Sequence, residues 1–315
     1  MKIEELVDLC ENLLNEISTV IVGKRQVLEM VLSAFLANGH ILFEDFPGTA
    51  KTLMAKLFAQ GLGCTFRRVQ FTPDLLPADI TGTYVLDRQE SKFVLRKGPI
   101  FTNILLADEI NRAPPKTQSA LLEGMQERQV TIEGDTFQLT WPFIVVATQN
   151  PIEYEGTYPL PEAQIDRFIM RLTVGYPNAS EEVEILTRRV RAKRDDYEVH
   201  SILTPELFVE AQRVVEEIHL DDSIKNYVVE IVQKTRNHPL IGLGASPRGS
   251  LALMQLSTAK AAMGGRDFVT PDDVKTLAVP AIAHRLLLKG GAWLAGTKAE
   301  DIVKGILDET KSPRE

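Results

Sequence analysis

Lys51 and Thr52 follow the turn Asp45-Phe46-Pro47-Gly48-Thr49-Ala50, and Asp108 and Glu109 follow the apolar run Ile104-Leu105-Leu106-Ala107. A cation beside a hydroxyl, paired with two carboxylates, is a set suited to polyphosphate chemistry. Backbone N–H groups of the turn and of a helix start supply partial positive charge. The lysine adds a full charge, and the threonine hydroxyl can ligate Mg²⁺. Of the two carboxylates, the first can hold Mg²⁺ through its water shell, while the second can orient and deprotonate an attacking water. The turn departs from the pattern G-x-x-G-x-G-K-[ST]: Asp45 stands in place of the first glycine and Ala50 in place of the third. The turn alone does not carry the phosphate reading; the acidic pair downstream, at a separation that suits one α/β domain, does.

The elements that must position these residues are legible as an alternation of short apolar strands with helical segments. Strands are expected at Ile41–Phe43, Phe66–Val69, Ile104–Ala107, Phe143–Ala147 and Phe168–Val174. The third and fourth are continuously apolar, as strands buried on both faces of a parallel sheet should be. The expectation is a doubly wound α/β layer with its ligand at the carboxyl ends of the strands, where Asp45, Asp108 and Asn150 fall. After Gly175-Tyr176-Pro177-Asn178 the strand signal disappears. Residues 1–178 therefore read as a nucleotide-binding α/β domain and residues 179–315 as a smaller all-helical domain. Helix starts are expected at Ser180, Thr204 and Thr270, the last a capping box with proline at the first helical position. Leu207–Ile218, Ile224–Thr235 and Ser250–Met263 carry apolar residues at helical spacing. Lys311–Glu315 reads as a disordered tail.

Composition narrows the class. The chain has 315 residues, 44% hydrophobic and 25% charged, as in an ordinary soluble globular protein of about two domains. No apolar run approaches a membrane span, and Met1–Leu14 reads as an amphipathic helix rather than a signal peptide. Cys10 and Cys64 offer neither a disulfide framework nor a metal quartet, so a reducing cytoplasm is expected. A net charge of −8 argues against broad nonspecific affinity for nucleic acid without excluding a local basic groove. The five histidines show no metal-ligand spacing, and Met125, Met254 and Met263 read as core.

Asp108-Glu109-Ile110-Asn111-Arg112-Ala113-Pro114-Pro115-Lys116-Thr117-Gln118 resembles the Walker B segment of MoxR-type AAA+ ATPases. Ala147-Thr148-Gln149-Asn150-Pro151, Leu160-Pro161-Glu162-Ala163-Gln164-Ile165-Asp166-Arg167-Phe168 and Ser246-Pro247-Arg248 resemble that family's later motifs, in its order. The resemblance runs from about Val20 to the helical C-terminus. It implies a P-loop AAA+ parallel-sheet core with a helical lid. It also implies an ATP-binding set of Val22, Gly23, Asp45, Pro47, Gly48, Thr49, Ala50, Lys51, Thr52 and Leu53, with Mg²⁺ on Thr52 and Asp108. Glu109 is implied as catalytic base, Asn150 as sensor 1, Arg167 as a finger reaching the next subunit's γ-phosphate, and Arg248 as sensor 2. A finger acting in trans implies a homo-oligomeric ring, expected as a hexamer. The family's clients are proteins, commonly with von Willebrand factor A domains, often in metal-cofactor insertion or envelope-related maturation.

Two further segments read as hairpins: Thr83–Leu86 with Lys92–Leu95 around Asp87–Ser91, and Gln129–Ile132 with Phe137–Leu139 around Glu133–Thr136. They resemble the helix-2 insert and pre-sensor-1 hairpin of the AAA+ clade that also holds magnesium chelatase motors and MCM helicases. The acidic second tip, Glu133-Gly134-Asp135, favours a protein client over nucleic acid. Arg88, Lys92, Arg96 and Lys97 keep a nucleic-acid motor open as an alternative. A slow-turnover ATP-binding scaffold stays open as another, because Ala50 would be strained if its position requires positive φ.

Overall fold

The computed structural model describes residues 1–151, 156–193 and 197–313. Helices α1 (Ile3–Ser18) and α2 (Arg25–Leu36) precede β1 (Ile41–Glu44), α3 (Lys51–Gly61), β2 (Phe66–Gln70) and α4 (Pro77–Thr81). A hairpin of β3 (Gly82–Asp87) and β4 (Lys92–Lys97) then leads to β5 (Ile104–Asp108) and α5 (Pro115–Glu127). A second hairpin, β6 (Gln129–Ile132) and β7 (Asp135–Gln138), precedes β8 (Ile144–Gln149), the short helix α6 (Glu162–Ile165) and β9 (Met170–Leu172).

Strands β2-β5-β8-β1-β9, in that order, form one all-parallel sheet. Their side chains divide by the period of two that a strand imposes. Ile104, Leu106, Ile144, Val146, Ile41 and Phe43 enter one core, while Leu105, Ala107, Phe143, Val145, Ala147 and Leu42 enter the other. Burial on both faces explains why β5 and β8 are apolar without alternation.

The chain continues through α7 (Ala179–Ala192), α8 (Pro205–Glu216), α9 (Asp222–Asn237), β10 (Ile241–Leu243), α10 (Pro247–Met263), α11 (Pro271–Ile282), β11 (Leu287–Leu288), α12 (Gly290–Leu294) and α13 (Ala299–Glu309). The second region is thus helical apart from the antiparallel ribbon β10–β11, whose strands are too short to leave a sequence pattern. The expected helix starts at Thr204 and Thr270 are found, but α7 is capped by Asn178 and not Ser180. The Asn178 side chain accepts from Glu181 N at 3.0 Å, and Ser180 only donates to that same side chain. Of the expected tail, Arg314 and Glu315 lie outside the described residues.

One core belongs to both regions. Leu13 and Leu28 from the first two helices, Phe58 from α3, Phe208 from α8 and Leu253 from α10 all join it. Gln212 on α8 donates to Phe35 O at 2.8 Å, and Gly61 O accepts from Ile202 and Leu203. The helices before β1 therefore pack between the sheet and the second region, so the two are held against each other by buried apolar surface.

Candidate functional site

The carboxyl ends of β1, β5 and β8 share one edge of the sheet, because β8 is parallel neighbour to both others. Each strand releases a polar residue there. β1 runs into Asp45 and the turn, β5 ends at Asp108, and β8 is followed by Asn150, which is buried.

In the turn, Gly48 has φ +81° with open space where a Cβ would stand. Ala50, immediately before α3, adopts φ 61°, ψ 17°, the left-handed conformation the glycine pattern anticipates. Lys51 opens α3, and its Nζ donates to Asp45 O at 3.0 Å, Phe46 O at 2.5 Å and Thr49 Oγ1 at 3.2 Å. Partial burial lowers its pKa below the usual lysine range, while Asp45, Asp108 and Glu109 pull it back up. Lys51 therefore lies within the electrostatic reach of the acidic pair.

Asp45 does not face the open turn. Its Oδ2 accepts from Val174 N at 2.8 Å and Gly175 N at 2.7 Å, and its Oδ1 from Phe46 N at 2.8 Å. Where the glycine pattern has no side chain, this chain has a buried carboxylate that ties the turn to the segment following β9. The Asp45 side chain is committed to backbone N–H groups, and its carbonyl meets Lys51. A second link lies alongside, since Phe46 stacks on Tyr176 with ring centroids 5.8 Å apart and planes 7° from parallel.

Beside the turn is an apolar cavity of about 160 Å³ lined by Val22, Leu53, Met54, Val174, Pro177 and Ile185 among others. Its size and lining suit a heteroaromatic base. Val22 lines this cavity together with Gly48, Thr49 and Ala50 of the turn. Gly23 does not line the cavity; at φ +69° its backbone presses on α7, where a Cβ would stand 2.0 Å from Glu181 Oε1.

The acidic pair is held by neighbours that its local sequence does not reveal. Asp108 Oδ1 accepts from Thr148 Oγ1 at 2.6 Å, and its Oδ2 from Arg68 Nε at 3.0 Å and Nη2 at 2.7 Å. Thr148 Oγ1 in turn accepts from Glu109 N at 2.8 Å. Glu109 sits at φ 56°, ψ 50°, a strained conformation for a residue with a side chain. Its Oε2 accepts from Gln70 Nε2 at 2.6 Å and Arg112 Nη1 at 3.0 Å. Hydroxyl and carboxylate oxygens are the hard donors Mg²⁺ takes, so the Thr52 hydroxyl and the Asp108 carboxylate, whose Oδ2 faces the Arg68 guanidinium, are donors of the right class for that ion.

Arg167 lies between α6 and β9, which begins at Met170 where the strand was expected from Phe168, and Arg248 lies in the first turn of α10. Both line one cavity of about 350 Å³, which shares no residue with the apolar cavity beside Lys51. Both also donate to Gln126 Oε1, at 3.1 and 3.3 Å. The neighbouring Asp166 fixes this arrangement. It accepts from Ser246 Oγ at 2.8 Å and pairs with Arg285 Nε at 3.1 Å, joining the α6 segment to α10 and to the turn after α11. Burial lowers the Arg285 pKa to about 10. The structure therefore brings Lys51, Asp108, Glu109 and Asn150 to one edge of the sheet and the two arginines together on another face. Arg68, Gln70, Gln126 and Arg285 lie in no motif read from the sequence, while Thr148 and Asp166 lie inside two of the motifs without having been given a role.

The model of the ATPase family associated with various cellular activities matches residues 40–170, and an AAA lid domain model matches residues 233–306. Chaperone MoxR1 of Mycobacterium tuberculosis is 42% identical over 96% of this chain and 82% of its own length. YeaC of Bacillus subtilis is 49% identical over 98% and 97%. A crystal structure from Cytophaga hutchinsonii, of a protein assigned as an ATPase, superimposes with a TM-score of 0.93 at 38% identity, covering 99% of this chain and 97% of that one.

Proposed function

We propose, for a chain that belongs to the MoxR family of AAA+ ATPases, that it binds Mg-ATP at the Lys51 turn and uses hydrolysis to remodel or assemble protein complexes. The observation that carries this reading is the shared strand edge: Lys51, Asp108, Glu109 and Asn150 converge there beside an apolar cavity sized for a base. In this reading Lys51 exchanges its carbonyl contacts for β- and γ-phosphate oxygens, and the N–H groups of Gly48 to Thr52 cradle the phosphates. Thr52 and Asp108 would hold Mg²⁺, which would supply positive charge against the polyphosphate. Glu109 takes the proton of the attacking water, and Asn150 holds that water or the γ-phosphate in line. Gln70 holds Glu109 until then.

The cavity that Arg167 and Arg248 line has no lining residue in common with the apolar cavity beside the Lys51 turn, which supports their action on a nucleotide held by a second copy. Guanidinium groups suit the task, since they neutralise charge spread over several phosphoryl oxygens. A ring of such copies, most simply a hexamer, follows from that arrangement. Proteins, with von Willebrand factor A domains among the candidates, are the proposed clients, and the cytoplasm is the proposed compartment. A protein client is favoured over nucleic acid by the second hairpin. Its acidic tip is bound to the first hairpin through Tyr84 Oη to Asp135 Oδ2 at 2.7 Å and Thr83 Oγ1 to Glu133 Oε1 at 3.4 Å.

Mixing two dead variants tests this reading. Arg167→Ala and Lys51→Ala should each lose ATPase activity, and a mixture should regain a measurable share of it, because each supplies the half the other lacks. An assembled mixture that stays inactive refutes the trans role. Adding ATP to Glu109→Gln should trap the client, whose recovery as protein or nucleic acid decides between the two client classes.

A further inference from the structure

Gln126 is the penultimate residue of α5, exposed, and its side-chain oxygen is where the two arginine-bearing segments meet. Oε1 accepts from Arg167 Nε at 3.1 Å and from Arg248 Nη2 at 3.3 Å. The amide nitrogen donates to Glu127 Oε1 at 3.0 Å, which turns the oxygen toward the guanidinium groups. We propose that Gln126 is a positioning residue for Arg167 and Arg248. It gathers both onto one acceptor and yields them to the phosphates of a nucleotide presented by a second copy of the chain. The inference rests on the trans role given to these arginines above.

The chemistry of the acceptor is what matters. An amide oxygen is neutral, so a guanidinium bond to it lacks the charge–charge attraction that an ionised acceptor adds. Phosphate oxygens therefore displace Gln126, whereas a carboxylate in its place would compete with them. Two neighbouring carboxylates are turned elsewhere: Asp166 holds Ser246 and Arg285, and Glu127 holds the Gln126 amide, while Glu216 and Glu123 line the adjoining cavities without bonding either arginine. Arg167 donates otherwise to a backbone carbonyl, Ala163 O at 2.7 Å. Among the described residues, then, both arginines rest on neutral acceptors, gathered but not neutralised. Asp166 gives the backbone of both segments a fixed separation, and Gln126 sets their side chains.

Gln126→Glu separates this role from a merely structural one. Glutamate keeps the length, the helix propensity and the acceptor, and binds guanidinium harder. A structural role would therefore be preserved or improved by it. Positioning with release predicts the opposite: kcat for ATP falls roughly tenfold, through the loss of transition-state contacts. ATP affinity, measured in the Glu109→Gln background, stays unchanged because each copy's own Lys51 turn is intact. Gln126→Met, which removes the acceptor without adding charge, should lower kcat by a smaller factor of about three, with affinity again unchanged. Mixing either variant with Lys51→Ala should restore turnover, since the Lys51-defective copy brings an intact arginine face. Turnover of Gln126→Glu within twofold of wild type, or a defect that mixing does not relieve, overturns the proposal. The Arg167→Ala and Lys51→Ala mixture is run alongside. If that control regains activity while the Gln126 variants behave like wild type, only the Gln126 role has failed. If the control stays dead, the trans arrangement has failed and Gln126 falls with it.

Discussion

Ala50→Gly puts a number on the departure of the phosphate turn from its glycine pattern. Ala50 holds φ 61°, ψ 17° at the start of α3 and is exposed. A left-handed conformation costs an L-residue about 1–2 kcal/mol. Glycine removes that cost but loses about 0.5–1 kcal/mol through the greater freedom of its unfolded chain. The alanine methyl is exposed, so no burial of consequence is lost with it. The net expectation is a stabilisation of about 0.5–1 kcal/mol, the difference of the two backbone effects. In a cooperative unit of this size that raises Tm by only about 1 °C, so the urea midpoint is the better readout. Turnover should respond differently. The loop already has the geometry that glycine would give it, so single-turnover hydrolysis should stay within about twofold of wild type. A midpoint that does not rise would refute the strain argument. A rate that rises tenfold or more would show that the strain reaches the chemistry and would favour the slow-turnover scaffold.

Asp45→Gly restores the first glycine of the pattern but removes the acceptor of three backbone N–H groups, two of them on Val174 and Gly175. It should cost about 2–4 kcal/mol in urea titration, and a loss below 0.5 kcal/mol would contradict the role of this carboxylate. Burial holds His40 and His284 well below the usual imidazole range, with Arg128 repelling the first and Arg285 and Arg171 the second. Their folded pKa lies below the unfolded value of about 6.5, so protonation favours the unfolded chain; stability is complete above that pH and falls below it, by up to about 1.4 kcal/mol per pH unit per histidine. Urea midpoints between pH 7.5 and 5.0 should therefore decline, and a flat profile would mean the rings are not buried neutral.

What the sequence revealed was whatever depends on neighbours along the chain. Five strands were legible because burial on both faces demands unbroken apolar runs, as at Ile104–Ala107. Lys51-Thr52 and Asp108-Glu109 were legible because their chemistry requires adjacency. The cap of α7 could have been read from Asn178 and Glu181, three apart, and the nearer Ser180 obscured it. The roles of Gln126, Thr148, Asp166 and Arg285 were not legible, even for the two inside quoted motifs, since each acts on a partner dozens of residues away, and β10–β11 are too short to show alternation.

Asp45 and Ala50 both register as departures from one consensus, yet they are physically unlike. Ala50 keeps the backbone geometry of glycine and bears a local cost. Asp45 replaces an empty position with a carboxylate reaching Val174 and Gly175, beside the Phe46–Tyr176 stack and close to where Gly23 meets Glu181. Three contacts thus connect the phosphate turn and the segment before β1 to the start of the second region. The contacts of Asp45 and Phe46 meet Val174, Gly175 and Tyr176, in the segment that also lines the apolar cavity. In this chain the position lost to the consensus is the one that ties the turn to the segment leading into α7.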